Sequence, residues 1–101
     1  MVVNFEVIPL GVGTSTSPYL GEILKMVDDS RLDYRLTAMG TVVEGEWDEV
    51  MGLIRRCHHK VLSQVDRVIT HVTIDDRKGY TGCIEGKVRS VEEKAGRTLR
   101  K

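Results

Sequence analysis

Three carboxylates, Glu6, Glu44 and Asp75, lead the residues that could do chemistry. Each lies in or at the end of a segment that alternates apolar and polar residues, as a half-buried strand does. A carboxylate inside a strand must be solvated, paired or used, because burying it alone is costly. The three suit a cation or a ligand that donates from an amine. The bland alternatives are helix-cap chemistry at Glu44-Gly45-Glu46 and a surface ion pair in the turn Asp75-Asp76-Arg77. A second candidate is the loop from Gly11 to Ser17, whose glycines allow close backbone approach and whose hydroxyls can hydrogen-bond. The helix start after it offers free N–H groups to a small polar ligand. This loop has neither the GxGxxG pattern nor a P-loop lysine. His58 and His59 are adjacent and, on a helix, diverge by about 100°, so they cannot chelate one metal together. His71 would sit mid-strand near carboxylates. There is no Ser–His–Asp order, no Cys–His dyad with an orienting group and no cluster at metal-ligand spacing. No cofactor, metal or catalytic machinery is expected.

The elements that hold these residues follow from periodicity. Residues 2–10 read as a strand, with Val3, Phe5 and Val7 on one face and Asn4, Glu6 and Ile8 on the other. Ser17-Pro18 reads as an N-cap followed by proline at the first helical position. Leu20, Ile23, Leu24 and Val27 then share a helix face, and Asp28-Asp29-Ser30 is the stop. Strands at 33–39 and 41–44, broken at Gly40, form a hairpin. A second helix starts near Glu46, with Trp47, Val50, Met51, Ile54, Cys57, Val61 and Leu62 inward. A fourth strand at 67–75 places Val68, Val72 and Ile74 on one face and Ile69, His71, Thr73 and Asp75 on the other. After a loop at 79–82, a last helix carries Ile84, Val88, Val91 and Ala95 on one stripe, and a basic end from Gly96 frays.

The order βαββαβ plus a C-terminal helix is that of an α+β, ferredoxin-like plait: a four-stranded antiparallel sheet with two helices on one face. With 101 residues the chain is a single domain, residues 1–101. The face away from the helices mixes Ile8, Ile69 and Met39 with Asn4, Glu6, Thr37, His71, Thr73 and Asp75. Such a mixture predicts a covered face with a polar patch inside it, and so a second subunit on top.

Composition narrows the function. Fifteen Lys plus Arg balance fifteen Asp plus Glu, which gives no electrostatic footprint for nucleic acid or an anionic membrane. At 41% apolar and 30% charged the chain is a folded, soluble protein. The five aromatic residues, including Tyr80, are too few for base stacking. Cys57 and Cys83, with no CxxC and no signal sequence, indicate reduced thiols and a cytoplasmic location.

Four strings occur in order along this pattern. They are Val7-Ile8-Pro9-Leu10-Gly11 with Ser15-Thr16-Ser17, then Met39-Gly40-Thr41-Val42-Val43-Glu44-Gly45-Glu46, then Arg67-Val68-Ile69-Thr70, and Ile74-Asp75-Asp76-Arg77. Together, from about residue 2 to residue 94, the chain resembles the UPF0045 or MTH1187-like family of small archaeal and bacterial proteins, related to thiamine-binding YkoF domains. The segment Ser63-Gln64-Val65-Asp66 departs from that pattern, which commonly has a glycine before the final strand.

The resemblance implies a ferredoxin-like fold, dimers that pair into tetramers, and binding of thiamine or its hydroxymethylpyrimidine part against the sheet, without catalysis. It puts Leu10, Gly11, Ser17, Gly40, Thr41, Glu44 and Asp75 forward as ligand-binding positions. Such a ligand makes chemical sense of the residues. Glu6 and Glu44 would attract the thiazolium cation and accept from the exocyclic amine. Thr37, Thr41, Ser15 and Ser17 would orient the rings, and Met39, Ile8 or a partner's aromatic residue would cover them. The alternatives are an ACT-like regulatory module sensing a small metabolite, and a small plait-fold enzyme using His71 with Glu6 as its acid–base pair.

Overall fold

The computed structural model describes residues 1–14, 16–79 and 83–97. The expected hydrogen bonds of Ser15, the loop at 80–82 with Tyr80, the side chains of Cys83 and Val88, and the tail from 98 fall outside the described residues. The elements are β1 (Val2–Pro9), α1 (Ser17–Asp29), β2 (Asp33–Thr37), β3 (Gly40–Glu44), α2 (Trp47–Leu62), β4 (Val68–Asp75) and α3 (Cys83–Ala95). The sheet order is β2-β3-β1-β4, with every neighbouring pair antiparallel. This is the expected ferredoxin-like plait with one added helix.

Alternation sets the two faces of the sheet. Val3, Phe5 and Val43 turn toward α1 and α2 and are buried with Ile23, Val27, Val50, Leu53, Ile54, Cys57 and Val61. Leu53 belongs to this core although the periodicity reading left it out. Trp47 and Leu62, expected inward, are 54% and 38% exposed because they lie at the two ends of α2, beyond the sheet. The cap of α1 also differs from expectation. Thr16 is the N-cap, Ser17 is the first helical residue and Pro18 follows it inside the first turn.

Local chemistry fixes the helix ends. The Glu49 carboxylate accepts from the Glu46 N–H at 3.4 Å, which anchors the start of α2, and Asp48 and Glu49 suit its positive end. After α1, Arg31 adopts a left-handed conformation with φ of 63°. The Ser30 hydroxyl secures that turn by donating to the Val27 carbonyl and accepting from the Leu32 N–H. His58, at the border of α2's apolar face, shares a 2.6 Å hydrogen bond with Thr70 of β4. Tyr34 O–H donates to Asp28 at 3.0 Å, joining β2 to the end of α1.

The molecule is elongated, 47 × 29 × 21 Å, with a radius of gyration of 15.0 Å. A compact chain of this length has about 13 Å. Its surface of 7325 Å² exceeds by about 1,500 Å² that of a compact monomer of this mass. Two features go with this excess. The face away from α1 and α2 has no layer of its own over much of its area, and α3 exposes residues 89–91 and 93–95, Val91 at 54%.

Candidate functional site: a slot at the edge of β1

The hairpin of β2 and β3 is shorter than the strand beside it. The register between β1 and β3 runs from Val2↔Glu44 to Phe5↔Thr41 and stops, whereas β1 continues against β4 to Pro9↔Val68. Over residues 6–9, β1 therefore has a neighbour on one side only. The hairpin turns back at Ala38 and Met39, where Thr37 Oγ1 accepts from the Met39 N–H at 3.2 Å and donates to the Gly40 carbonyl at 2.8 Å.

The gap beyond this turn is a cavity of about 200 Å³. One side is the free edge of β1 and the other is the hairpin end from Leu36 to Thr41. The first turns of α1, through Thr16, Tyr19, Leu20 and Ile23, close it from the helix side. Phe5 and Thr41 are 1% and 2% exposed, so the cavity reaches the core. Its mouth is apolar and open to solvent, with Leu20, Leu36 and Met39 at 43%, 55% and 78% exposure. Because Glu6 and Ile8 point to the opposite face from Phe5, the cavity passes the edge of the sheet from one face to the other.

Gly40, which borders that passage, leaves room for the Asn4 side chain beside it. A Cβ there would lie 2.7 Å from Asn4 Oδ1 and 3.2 Å from the Phe5 carbonyl. The Asn4 amide occupies the space that any other residue would fill.

Four of the sequence candidates meet here: Glu6, Thr37, Gly40 and Thr41. Their surroundings divide by face. Glu6, Thr37 and Gly40 belong to the open face, and Thr41 to the helix face. His71 stands directly across the ladder from Glu6, so the proposed acid–base pair is adjacent. Met39, expected over the open face, sits in the hairpin turn at the mouth.

The other candidates lie elsewhere. Glu44 and Asp75 share one row with Val2 and Asp33 at the far end of the sheet. That row is about 13 Å along β1 from Glu6. There the Glu44 carboxylate accepts from the Ile84 N–H at 3.4 Å, at the start of α3. A carboxylate suits the positive end of a helix, so Glu44 positions α3. Leu10 continues the β1–β4 ladder, its N–H donating to the Arg67 carbonyl at 2.9 Å. With Gly11, whose φ of 80° needs glycine, it borders a separate shallow depression facing Gln64 to Arg67. Ser17 is exposed on the first turn of α1. The sequence reading missed Thr16, Tyr19 and Val7 as wall residues. The proline in Val7-Ile8-Pro9, which cannot complete a ladder, is the signal that could have pointed to an unpaired strand edge.

Against known proteins, the profile of the thiamine-binding protein family matches residues 3–92. The chain belongs to that family. Its relatives include the UPF0045 protein MJ1052 of Methanocaldococcus jannaschii, 37% identical over 92% of this chain and 93% of that one. A UPF0045 protein of Mycobacterium tuberculosis is 38% identical over 91% of each chain. The crystal structure of MJ1052 superposes with a TM-score of 0.85 over 91% of this chain and 95% of that one. A Thermotoga maritima protein proposed to act in thiamine biosynthesis or salvage shares the fold, with a TM-score of 0.78, at 21% identity over 89% and 96% of the chains. The resemblance that the sequence motifs carried is thus correct, and the family is named for binding and not for a reaction. Among the described residues no helix is long and apolar enough to cross a membrane.

Proposed function

We propose that this UPF0045 family member binds thiamine or its hydroxymethylpyrimidine part, without turnover, in the slot beside β1. The observation that carries the proposal is the slot itself, which gathers Glu6, Thr37, Gly40 and Thr41 around an apolar floor. A cavity of about 150 Å³ holds one benzene ring, so this volume of about 200 Å³ takes one substituted six-membered ring. The pyrimidine fills it, and the thiazolium stays on the open face beside the Glu6 carboxylate. Thr37 and Thr41 border the ring with hydroxyls, one from each side of the sheet.

In this reading a second copy covers the open face and completes the site, giving a homodimer or a homotetramer in the cytoplasm. The surface excess and the exposed Ile69 on that face support it. Leu10, Gly11, Ser17, Glu44 and Asp75 then serve the loop, the helix starts and the far edge, outside the ring pocket.

Titration calorimetry with thiamine and hydroxymethylpyrimidine tests the proposal. Both should bind. Glu6→Gln should weaken thiamine five- to tenfold, on the order of 1 kcal/mol for a half-exposed charge pair, and leave the uncharged pyrimidine nearly unaffected. Absence of binding by both compounds would refute it.

A further inference from the structure

We infer that the slot recognises its ligand through the main chain of Val7, which reads an acceptor–donor edge. This rests on the function proposed above and names what the site selects. The direction of each peptide group in β1 follows from printed bonds. Met1 and Gly45 exchange both backbone hydrogen bonds, at 3.0 and 3.1 Å, so odd residues of β1 face β3. The Leu10 N–H donates to Arg67 of the opposite neighbour, so even residues face β4. Antiparallel ladders alternate strictly in this way. Val3 and Phe5 spend their N–H and C=O groups on Val43 and Thr41. Val7 is the next odd residue, and the hairpin has turned away before reaching it.

The Val7 N–H and C=O thus point side by side into the cavity that Val7 lines, with no hydrogen-bond partner among the described residues. Val7 is itself half-buried and packs against the core. Backbone groups in such a place are nearly always satisfied by something. Pro9, the following odd residue, has a carbonyl but no N–H. One residue of the free edge therefore offers a complete donor–acceptor pair, flanked by apolar walls.

The complement of that pair is a ring nitrogen that accepts, next to an amino group that donates. A 4-aminopyrimidine presents this edge. A 4-oxo ring presents the reverse, a ring N–H beside a carbonyl. It can pair with Val7 only by turning over, which moves the 5-substituent from the Ile8 end of the Val7 peptide to the Glu6 end and so forces a different pose on the rest of the ligand. A hydrogen-bonding site of this kind rejects the mismatched analogue because its own groups are left unpaired.

The test compares thiamine, pyrithiamine and oxythiamine by calorimetry on the intact protein. Pyrithiamine keeps the aminopyrimidine and replaces only the thiazolium, and it should bind within a few-fold of thiamine. Oxythiamine exchanges the amine for an oxo group and should bind at least tenfold more weakly. Thiamine and oxythiamine binding equally would overturn this inference and leave the proposed function standing. Failure of thiamine and hydroxymethylpyrimidine to bind at all would overturn both. Val7→Pro supplies a second readout, since it deletes the N–H that no strand uses while Glu6 before it stays extended. A folded Val7→Pro protein should lose at least tenfold in thiamine affinity and most of its preference over oxythiamine. Unchanged affinity and preference would refute the assignment. Should this variant not fold, the three-ligand comparison on the parent protein decides the matter.

Discussion

Placing a lysine at Ile69 separates assembly from folding. Ile69 lies on the open face, paired with Ile8 across the ladder, and is 39% exposed in the single chain. The side chain at this position can lift a charged head into water along its stem, so Ile69→Lys should cost the monomer about 1 kcal/mol at most. In an assembly the same charge would be enclosed. Enclosing an unpaired ammonium group costs several kcal/mol, and each 1.4 kcal/mol is a factor of about ten in dissociation. Ile69→Lys should therefore weaken assembly by at least about a hundredfold while the melting curve of the dissociated chain moves little. Sedimentation velocity at micromolar concentration measures the first effect and thermal denaturation the second. A parent protein that sediments as a single chain at tens of micromolar would refute the reasoning, and so would a variant that assembles as the parent does.

Other outcomes follow from single residues. Gly40→Ala should displace the Asn4 amide and cost about 1–2 kcal/mol in chemical denaturation. Leu53→Ala, at a fully buried site, should cost about 2–5 kcal/mol by the same assay. Arg31→Gly should relieve the left-handed backbone after α1 and raise stability by about 0.5–1 kcal/mol, visible as a higher melting temperature. Burial pushes the Cys57 thiol up from 9.0 to about 11, so it stays protonated in the folded state where the unfolded thiol ionises. The folded state then binds more protons than the unfolded state between about pH 9 and 11, and this contribution to stability falls as pH rises through that window. Alkylation at pH 8 followed by peptide mapping should find Cys57 unmodified until the protein is unfolded.

The plait was legible because its signals are local and mutually consistent. Alternation at Val3, Phe5 and Val7, the helical spacing of Ile23 and Val27, and Gly40 between two strands all point to one topology. Expectation failed where position along an element outweighed pattern. Trp47 and Leu62 fit the apolar stripe of α2, but they lie past the edge of the surface that the stripe covers. Glu44 and Glu6 have the same chemistry and fall on the same face, yet the register sets them at opposite ends of the sheet. No sequence spacing reports that separation, since it depends on where the hairpin turns relative to β1. The slot was invisible for the same reason: it is made by the difference in length between two strands. Val7 looked like an ordinary core residue because its side chain is one, and its chemistry lies in a peptide group that every residue has.

The two-residue turn at Ala38 and Met39 thereby takes on a weight unusual for a loop. A hairpin longer by a few residues would carry β3 past Val7, complete the ladder and plug the cavity with the protein's own chain. Such an insertion would strengthen the sheet by the main-chain bonds it now forgoes. Hairpin length, usually among the most freely varied traits of a fold, here decides whether the cavity exists, and a plait with a longer turn would exchange that cavity for a more fully bonded sheet.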